Sequence, residues 1–326
     1  MFKNKNILVT GGTGSFGSHF IKYVLNNYDF RKLIIFSRDE LKQFELRNEL
    51  SSFKNYKKLR FFVGDIRDKD RLKFATKNID ILIHAAALKQ VSTAEYNPFE
   101  VIKTNIIGSQ NVVECSIENK IKKIIALSTD KASAPINLYG ATKLTSDKLF
   151  ISANDYSGLS SSFFSVVRYG NVFGSRGSVA PYFKDLLKKN MKISITDENM
   201  TRFNITIDDG VKFVIESLKN MRGGEIFIPK LKSFKVIDLA NAITTKNNII
   251  FIGKRRGEKV HESMFTIDEC DKIFEYKNYY VMYDSFDKKK HSKIIRNKIK
   301  KPFNYSSENA NEFLSKTSLK KLFKSI

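Results

Sequence analysis

Asn6-Ile7-Leu8-Val9-Thr10-Gly11-Gly12-Thr13-Gly14-Ser15-Phe16-Gly17 is the stretch that decides the fold. A near-continuous apolar run leads without a spacer into glycines at 11, 14 and 17, and then into the amphipathic stretch Gly17–Asn27. A strand buried on both faces reads this way, whereas a strand with one face on water would alternate. Glycine permits the tight turn and lets backbone N–H groups approach an anion at the start of the following helix. A glycine-rich heptamer alone says little, since many turns are rich in glycine. Lodged between the first strand and first helix of a βαβ unit, it predicts a dinucleotide site built on Gly11, Thr13, Gly14, Ser15, Phe16 and Gly17.

The same rhythm continues outward. Lys32–Phe36, Leu59–Val63, Asp80–His84, Lys123–Leu127 and Ser162–Val167 read as further buried strands, separated by helical stretches such as Glu40–Leu50 and Phe99–Asn119. Strand and helix in regular alternation predict the α/β class, a doubly wound parallel sheet of the Rossmann type. After Tyr169 the pattern loosens into helices at Ala180–Lys188, Asp208–Asn220 and Val236–Ile243 and short strands at Ile193–Thr196, Ile226–Ile228 and Ile249–Ile252. Residues 1–170 are therefore expected to form the cofactor-binding domain. Residues 171–326 are expected to form a smaller C-terminal substrate-binding lobe over the carboxyl ends of the strands, with some segments returning to the first domain.

The end of the second strand selects the cofactor. An acidic residue there bonds the ribose hydroxyls of NAD, and a basic one accommodates the 2′-phosphate of NADP. Ser37-Arg38-Asp39 offers both, and Arg38 favours NADP while Asp39 keeps NAD open. Asp65-Ile66 follows the third strand, placed to meet the adenine edge, and Ala85-Ala86-Ala87 follows the fourth, where small residues let backbone close on a cofactor.

Composition narrows the class. The net charge is +23, with 57 basic and 34 acidic residues. Such a charge raises nucleic-acid or membrane-surface binding. The lysines are spread along the chain, however, and neither an aromatic-basic RNA motif nor a zinc spacing accompanies them. The charge reads as a lysine-biased set of solvated faces, with no nucleic-acid partner, although polyanionic ligands would gain from it. The densest tract, Lys288–Lys301, is expected to be a mobile surface segment. No run reaches the ~18 apolar residues of a membrane span, and no signal-peptide pattern opens the chain. Two distant cysteines, Cys115 and Cys270, suit a reducing compartment. The expected location is cytoplasmic. His19 and His84 are expected to be surface and packing residues, and no metal site is evident.

Tyr-x-x-x-Lys places a phenol and an ammonium on one helical face, where the cation is expected to lower the phenol pKa and make it a base. Composition alone gives about two such pairs by chance, and two occur, Tyr28…Lys32 and Tyr139…Lys143. The first straddles a helix end far from a nicotinamide. The second opens the helix after the fifth strand, preceded by Ser128-Thr129-Asp130-Lys131. Only the second is placed for catalysis.

The segment S-T-D-K-A-S-A-P-I-N-L-Y-G-A-T-K (128–143) resembles the UDP-N-acetylglucosamine 4,6-dehydratases of the C5-inverting kind, extended short-chain dehydrogenase/reductases that open the route to pseudaminic-acid-type sugars in polysaccharide biosynthesis. The similarity continues through H-A-A-A-L-K-Q-V (84–91), T-N-I-I-G (104–108), R-Y-G-N-V-F-G-S-R-G-S-V (168–179), M-T-R-F (200–203), G-E-K-V-H-E (257–262) and F-N-Y-S-S-E-N (303–309). Retaining relatives usually carry Met where Tyr139 stands, which points to the inverting kind. The resemblance implies a homo-oligomer without a membrane anchor. It also implies NADP held in part by Lys89, Asn105, Tyr139 and Lys143, and catalysis by Thr129, Asp130, Lys131, Tyr139 and Lys143. In the implied reaction Tyr139 deprotonates the C4 hydroxyl during C4 oxidation. Lys131 takes the C5 proton, Asp130 protonates the departing C6 hydroxyl, and hydride returns to C6. For those roles the Lys131 pKa must fall and the Asp130 pKa must rise. Glucose-type 4,6-dehydratases place Asp–Glu at this strand end instead.

Lys89, Asn171, Thr201, Arg202 and Arg255 match family positions that contact the nucleotide sugar, and arginine forks suit a diphosphate. Arg256 stands where the family usually has Pro, which leaves open whether it replaces or assists Arg255. The rivals are a retaining 4,6-dehydratase, a UDP-sugar 4-epimerase, which needs no acid–base pair after the fifth strand, and a non-catalytic NADP-sensing protein.

Overall fold

The computed structural model describes residues 1–158, 162–283 and 297–326. Its first half alternates β1 (Asn6–Thr10), α1 (Ser15–Asn27), β2 (Lys32–Ser37), α2 (Glu40–Leu50), β3 (Leu59–Val63), α3 (Lys69–Ala75) and β4 (Ile81–His84). Then come α4 (Val91–Tyr96), α5 (Pro98–Ile102), α6 (Gly108–Glu118), β5 (Lys123–Thr129), α7 (Leu138–Tyr156) and β6 (Phe163–Tyr169). The stretch read as one helix over 99–119 is thus α5 and α6, joined by a wider turn at Lys103–Ile107.

Strands β3-β2-β1-β4-β5-β6 are neighbours in that order, and every pair among them is parallel. The order reverses beside β1, which opens a crevice at the carboxyl ends of β1 and β4. The near-continuous hydrophobicity of the strands has its cause in two covered faces. Ile7 and Val9 of β1 pack with Phe20 and Val24 of α1, while Leu8 points into a second cluster with Val112 and Phe150 of α6 and α7. Alternate residues of one strand therefore serve opposite layers.

The later elements are β7 (Asn171–Val172), α8 (Val179–Lys188), β8 (Ile193–Ile195), β9 (Thr201–Ile205), α9 (Ile207–Asn220), β10 (Glu225–Pro229), β11 (Lys232–Lys235) and α10 (Val236–Ile243). They are followed by β12 (Ile249–Phe251), β13 (Ser263–Phe265), β14 (Ile273–Glu275), β15 (Tyr279–Tyr283), β16 (Tyr305–Ser306) and α11 (Lys316–Lys324). Strand β10 lies parallel beside β6, and the antiparallel β15 and β14 complete the large sheet. Helix α9 packs on the β1 face beside α1. The remainder gathers around a separate cluster of Phe183, Ile193, Phe234 and Leu239, with small sheets β11-β9-β7 and β12-β8. The pair β13–β16 lies against the turn that follows β5.

Cys115 and Cys270 are both buried and free. His84 is buried and bonded to Thr10 at 2.8 Å, a packing residue, and His19 pairs with Asp208 on the surface. The expectation of mobility for Lys288–Lys301 falls largely outside the described residues; Lys298, Lys300 and Lys301 are described and exposed. No helix among the described residues is long and apolar enough to cross a membrane.

Helix α7 carries the Tyr–Lys pair and is seated by Phe150, which is fully buried with its ring centroid 5.3 Å from that of His84. Replacing Phe150 by Ala is predicted to lower unfolding free energy by about 3–5 kcal/mol, as for other fully buried aromatics. Urea denaturation checks this, and a loss below ~1 kcal/mol would contradict the placement of α7.

Candidate active site

The turn after β1 is shaped for close backbone approach. Gly11 has φ +64°, and a Cβ there would lie 2.8 Å from the Ala86 backbone, so the loops after β1 and β4 touch at that point. Gly14 is the N-cap of α1 and, as a glycine, offers that helix end no capping side chain, which suits an N-terminus that binds an anion. Thr13 and Phe16 are buried beneath, and the Ser15 hydroxyl receives the Arg176 N–H at 3.4 Å.

At the end of β2 the three candidates diverge. The Ser37 hydroxyl is occupied by Gln43 at 3.0 Å. Asp39 turns into the N-cap of α2 and accepts the Lys42 N–H at 2.9 Å. Arg38 stays half-exposed, 3.6 Å from Asp65. Asp65 is gripped mainly by Arg67 at 2.8 Å; burial pushes its carboxyl up, but the Arg67 bonds outweigh that and hold it below the usual range. Ile66 is buried against Gly108.

Asn105 is bonded within the protein. Its amide accepts from Leu88 N and donates to Leu88 O, both at 2.9 Å, and donates to Thr142 at 3.1 Å. With both ends of the amide bonded to protein groups, Asn105 fixes the loop Ala85–Lys89.

Strand β5 delivers the chemistry. Its last residue, Thr129, donates to Asp130 Oδ1 at 2.9 Å, and Asp130 begins a short turn that ends at Ala132. Helix α7 then starts under two caps, Asn137 accepting from Gly140 N and Glu95 accepting from Leu138 N, each at 2.8 Å. A Cβ on Gly140 would strike the Lys131 carbonyl oxygen, so this glycine lets the helix press directly on the turn. Tyr139, Lys143, Asp130 and Lys131 are thereby brought to one strand end.

The Lys131 ammonium lies between two buried carboxylates, 3.0 Å from Asp130 Oδ1 and 2.9 Å from Glu262 Oε1. Burial pushes the Asp130 carboxyl up, with Glu262 adding to the rise and Lys131 opposing it. That is the direction an acid requires. Burial pulls Lys131 down, but Asp130 and Glu262 outweigh it and hold the ammonium above its usual range. The expected fall of the Lys131 pKa is thus reversed, first by the adjacent Asp130 and then by Glu262, 131 residues away in sequence. Burial pushes Tyr139 up to about 12, while Lys131 and Thr129 pull it down. The expected lowering of the phenol is outweighed, and the cation acting on it is Lys131. Lys143 is pulled below its usual range by burial, against the opposing charge of Asp147.

Of the substrate candidates, Asn171 sits on β7 with a buried Oδ1 that has no partner among the described residues. Lys89 is drawn below its usual range by desolvation and by the Lys131 and Arg176 cations. Thr201 and Arg202 are buried and committed internally. The Thr201 hydroxyl meets His261 at 2.8 Å and Ser307 at 2.7 Å. Arg202 donates to the carbonyls of Thr201, Lys259 and Val260 at 2.7–3.0 Å, so its fork holds a loop. Arg255 is exposed over the Tyr182 ring at 5.9 Å, beside an exposed Arg256. Glu262, Lys259 and Arg176 escaped the sequence reading. All three lie within quoted motifs, but only tertiary contact places Glu262 and Lys259 near the pair and Arg176 near Lys89. Among the described residues no cluster suits a metal ion.

Residues 7–284 match the family described as polysaccharide biosynthesis protein. The chain is 51% identical over 328 residues to the UDP-N-acetylglucosamine 4,6-dehydratase (inverting) of Campylobacter jejuni subsp. jejuni serotype O:23/36 (strain 81-176), covering 98% of this chain and 97% of that one. It is 42% identical over 287 residues to a UDP-glucose 4-epimerase of Rickettsia bellii, covering 86% and 83%. Pen from Bacillus thuringiensis superposes with a TM-score of 0.89 at 39% identity, covering 100% of this chain and 99% of its own. DesIV, a dTDP-glucose 4,6-dehydratase from Streptomyces venezuelae solved with NAD and TYD, shares the fold with a TM-score of 0.73 at 19% identity, covering 98% and 96%.

Substituting Gly140 by Ala is predicted to displace the turn at Lys131 and reduce turnover of a nucleotide sugar by about 10²-fold, the usual result of ~1 Å misplacement. Steady-state kcat on folded protein checks it, and wild-type kcat would contradict the packing account.

Proposed function

The chain belongs to the polysaccharide biosynthesis protein family, and we propose that within it the protein is a C5-inverting UDP-N-acetylglucosamine 4,6-dehydratase acting with a bound nicotinamide dinucleotide. The product is UDP-2-acetamido-2,6-dideoxy-β-L-arabino-hex-4-ulose. The observation that carries this reading is the Asp130–Lys131 pair at the end of β5, beside Tyr139, in a chain 51% identical to a relative of that name. An epimerase needs only to oxidise and re-reduce C4. A dehydratase must also remove a C5 proton and protonate the C6 hydroxyl, and the pair supplies groups for both steps.

The residues after β1, β2 and β4 fit a dinucleotide. The turn at Gly11 has no room for a Cβ, and the N-terminus of α1, which has no capping side chain, suits a pyrophosphate. Arg38 supports NADP, because Asp39 is withdrawn into a helix cap while the guanidinium remains open at the end of β2. Bound there, the nicotinamide supplies hydride acceptance from C4 and later hydride return to C6.

The protein's own part is proton management. Tyr139 takes the C4 hydroxyl proton, with Lys131 drawing the phenol toward ionisation. The 4-ketone acidifies the C5 hydrogen. Lys131 takes that proton as Asp130 gives one to the C6 hydroxyl, which leaves as water. Protonated Asp130 with neutral Lys131 holds the same number of protons as the ion pair, so a shift along the 3.0 Å contact reaches the working form without solvent exchange. Tyr139 then returns its proton to C5 from the opposite face. Lys89 and Asn171, with Arg255 or Arg256 at the rim, are assigned to the nucleotide sugar.

Proton NMR of the purified protein with UDP-N-acetylglucosamine in D₂O, without added cofactor, tests the reading. It is expected to show a new C6 methyl signal, deuterium at C5 and the L-arabino configuration, with NADP released on denaturation. A D-xylo product would overturn the inverting assignment, and a spectrum unchanged even after adding NADP⁺ would overturn the substrate.

A further inference from the structure

Glu262 closes the motif Gly257–Glu262, and the reaction as set out above leaves it without a role. Its position is built from several directions. Asn137 at the cap of α7 donates to Gly257 O at 2.8 Å, Lys259 Nζ donates to Ser133 O at 2.8 Å, and Arg202 binds the carbonyls of Lys259 and Val260. Ser307 holds Glu262 itself, accepting its N–H on the hydroxyl at 3.0 Å and donating its own N–H to Glu262 O at 2.7 Å. The result is a carboxylate only 2% exposed, one oxygen 2.9 Å from Lys131 Nζ. Its other oxygen, Oε2, is buried without a partner among the described residues, and so is Asp130 Oδ2. Buried carboxylate oxygens in purely structural ion pairs are normally satisfied. Lys131 already has one counter-ion in Asp130, so a second buried carboxylate is an expense that pairing alone does not explain.

We infer that Glu262 is a positioning residue for the elimination step, holding the Lys131 ammonium in line with Asp130 and setting the proton affinity of both groups through its negative charge. The inference rests on the dehydratase reading above. The charged and titratable groups around the row are Asp130 and Lys131 after β5, Tyr139 on α7, Arg202 on β9 and Lys259 in the 257–262 loop, with Lys89 near Lys131. A negative charge next to an acid and an ammonium makes both hold their protons to higher pH. Removing it moves both titrations down. The rate requires Asp130 protonated and Lys131 neutral, so both limbs of the pH–rate profile follow those titrations, whichever group has the lower pKa.

Glu262→Gln keeps the shape and deletes the charge. In the full-length protein it is expected to move both limbs of the kcat profile to lower pH by about one unit or more, with kcat reduced about 10–100-fold. Glu262→Asp, which withdraws the charge by one methylene, is expected to move them the same way by less, and it decides the question alone if the Gln variant does not fold. A second readout needs no substrate: the protonated-carboxyl infrared band that Asp130→Asn removes should titrate at lower pH in Glu262→Gln than in wild type. Limbs and band midpoint at wild-type pH, or moved upward, would overturn the inference even if kcat fell. Wild-type protein inert toward UDP-N-acetylglucosamine but showing the band shift would overturn the substrate reading and leave the role of Glu262 standing.

Discussion

An ammonium held between two buried carboxylates is the constraint on which the rest of the site depends. Each charge taken from water costs several kcal/mol, and mutual attraction repays this only when the geometry is held tightly. The chain invests heavily in that geometry. Strand β5 and its turn bring Asp130 and Lys131, Gly140 lets α7 press on the turn, and Lys259, Arg202 and Ser307 bring the loop carrying Glu262 across it. Residues that look like ligand contacts in isolation are partly the frame of this row.

The row also accounts for a division of labour along one strand end. On the proposed dehydratase reading, Tyr139 would address the hydroxyl at C4, and the Asp130–Lys131 pair would address C5 and C6. Both feel the same charge, because Lys131 acts on the phenol as well as on the carboxylates. Lys89 lies near the Lys131 and Arg176 cations, and Arg38 lies beside Asp65 at the end of β2. A net charge of +23 would favour capture of polyanionic ligands by long-range attraction.

The parallel sheet was legible because strands buried on both faces leave near-continuous apolar runs, and the glycine turn because its spacing has a steric cause visible at Gly11. Asp130 and Tyr139 were legible because they lie within ten residues of one strand end. Glu262 was not, since its partner is 131 residues away and a lone Glu in a loop carries no signal of burial. The direction for Lys131 is reversed by its neighbour Asp130 first and by that distant carboxylate second, and only the second was invisible in the sequence. The internal partners of Arg202 and Asn105 were invisible for a related reason: sequence gives a side chain's donors and acceptors, but not the backbone groups that bond them. Strand β10, read from Ile226–Ile228, lies in the large sheet because its neighbours β6 and β15 are set by topology, not by its own few residues.

The most direct test of the account is a single-turnover measurement on Asp130→Asn with UDP-N-acetylglucosamine, following the absorbance of reduced nicotinamide and the C6 methyl signal together. If oxidation at C4 and elimination across C5–C6 are handled by separate groups, reduced nicotinamide accumulates and persists while no methyl product forms. Methyl product at the wild-type rate would contradict the account, because the elimination would then proceed without the acid that the whole site is built to hold.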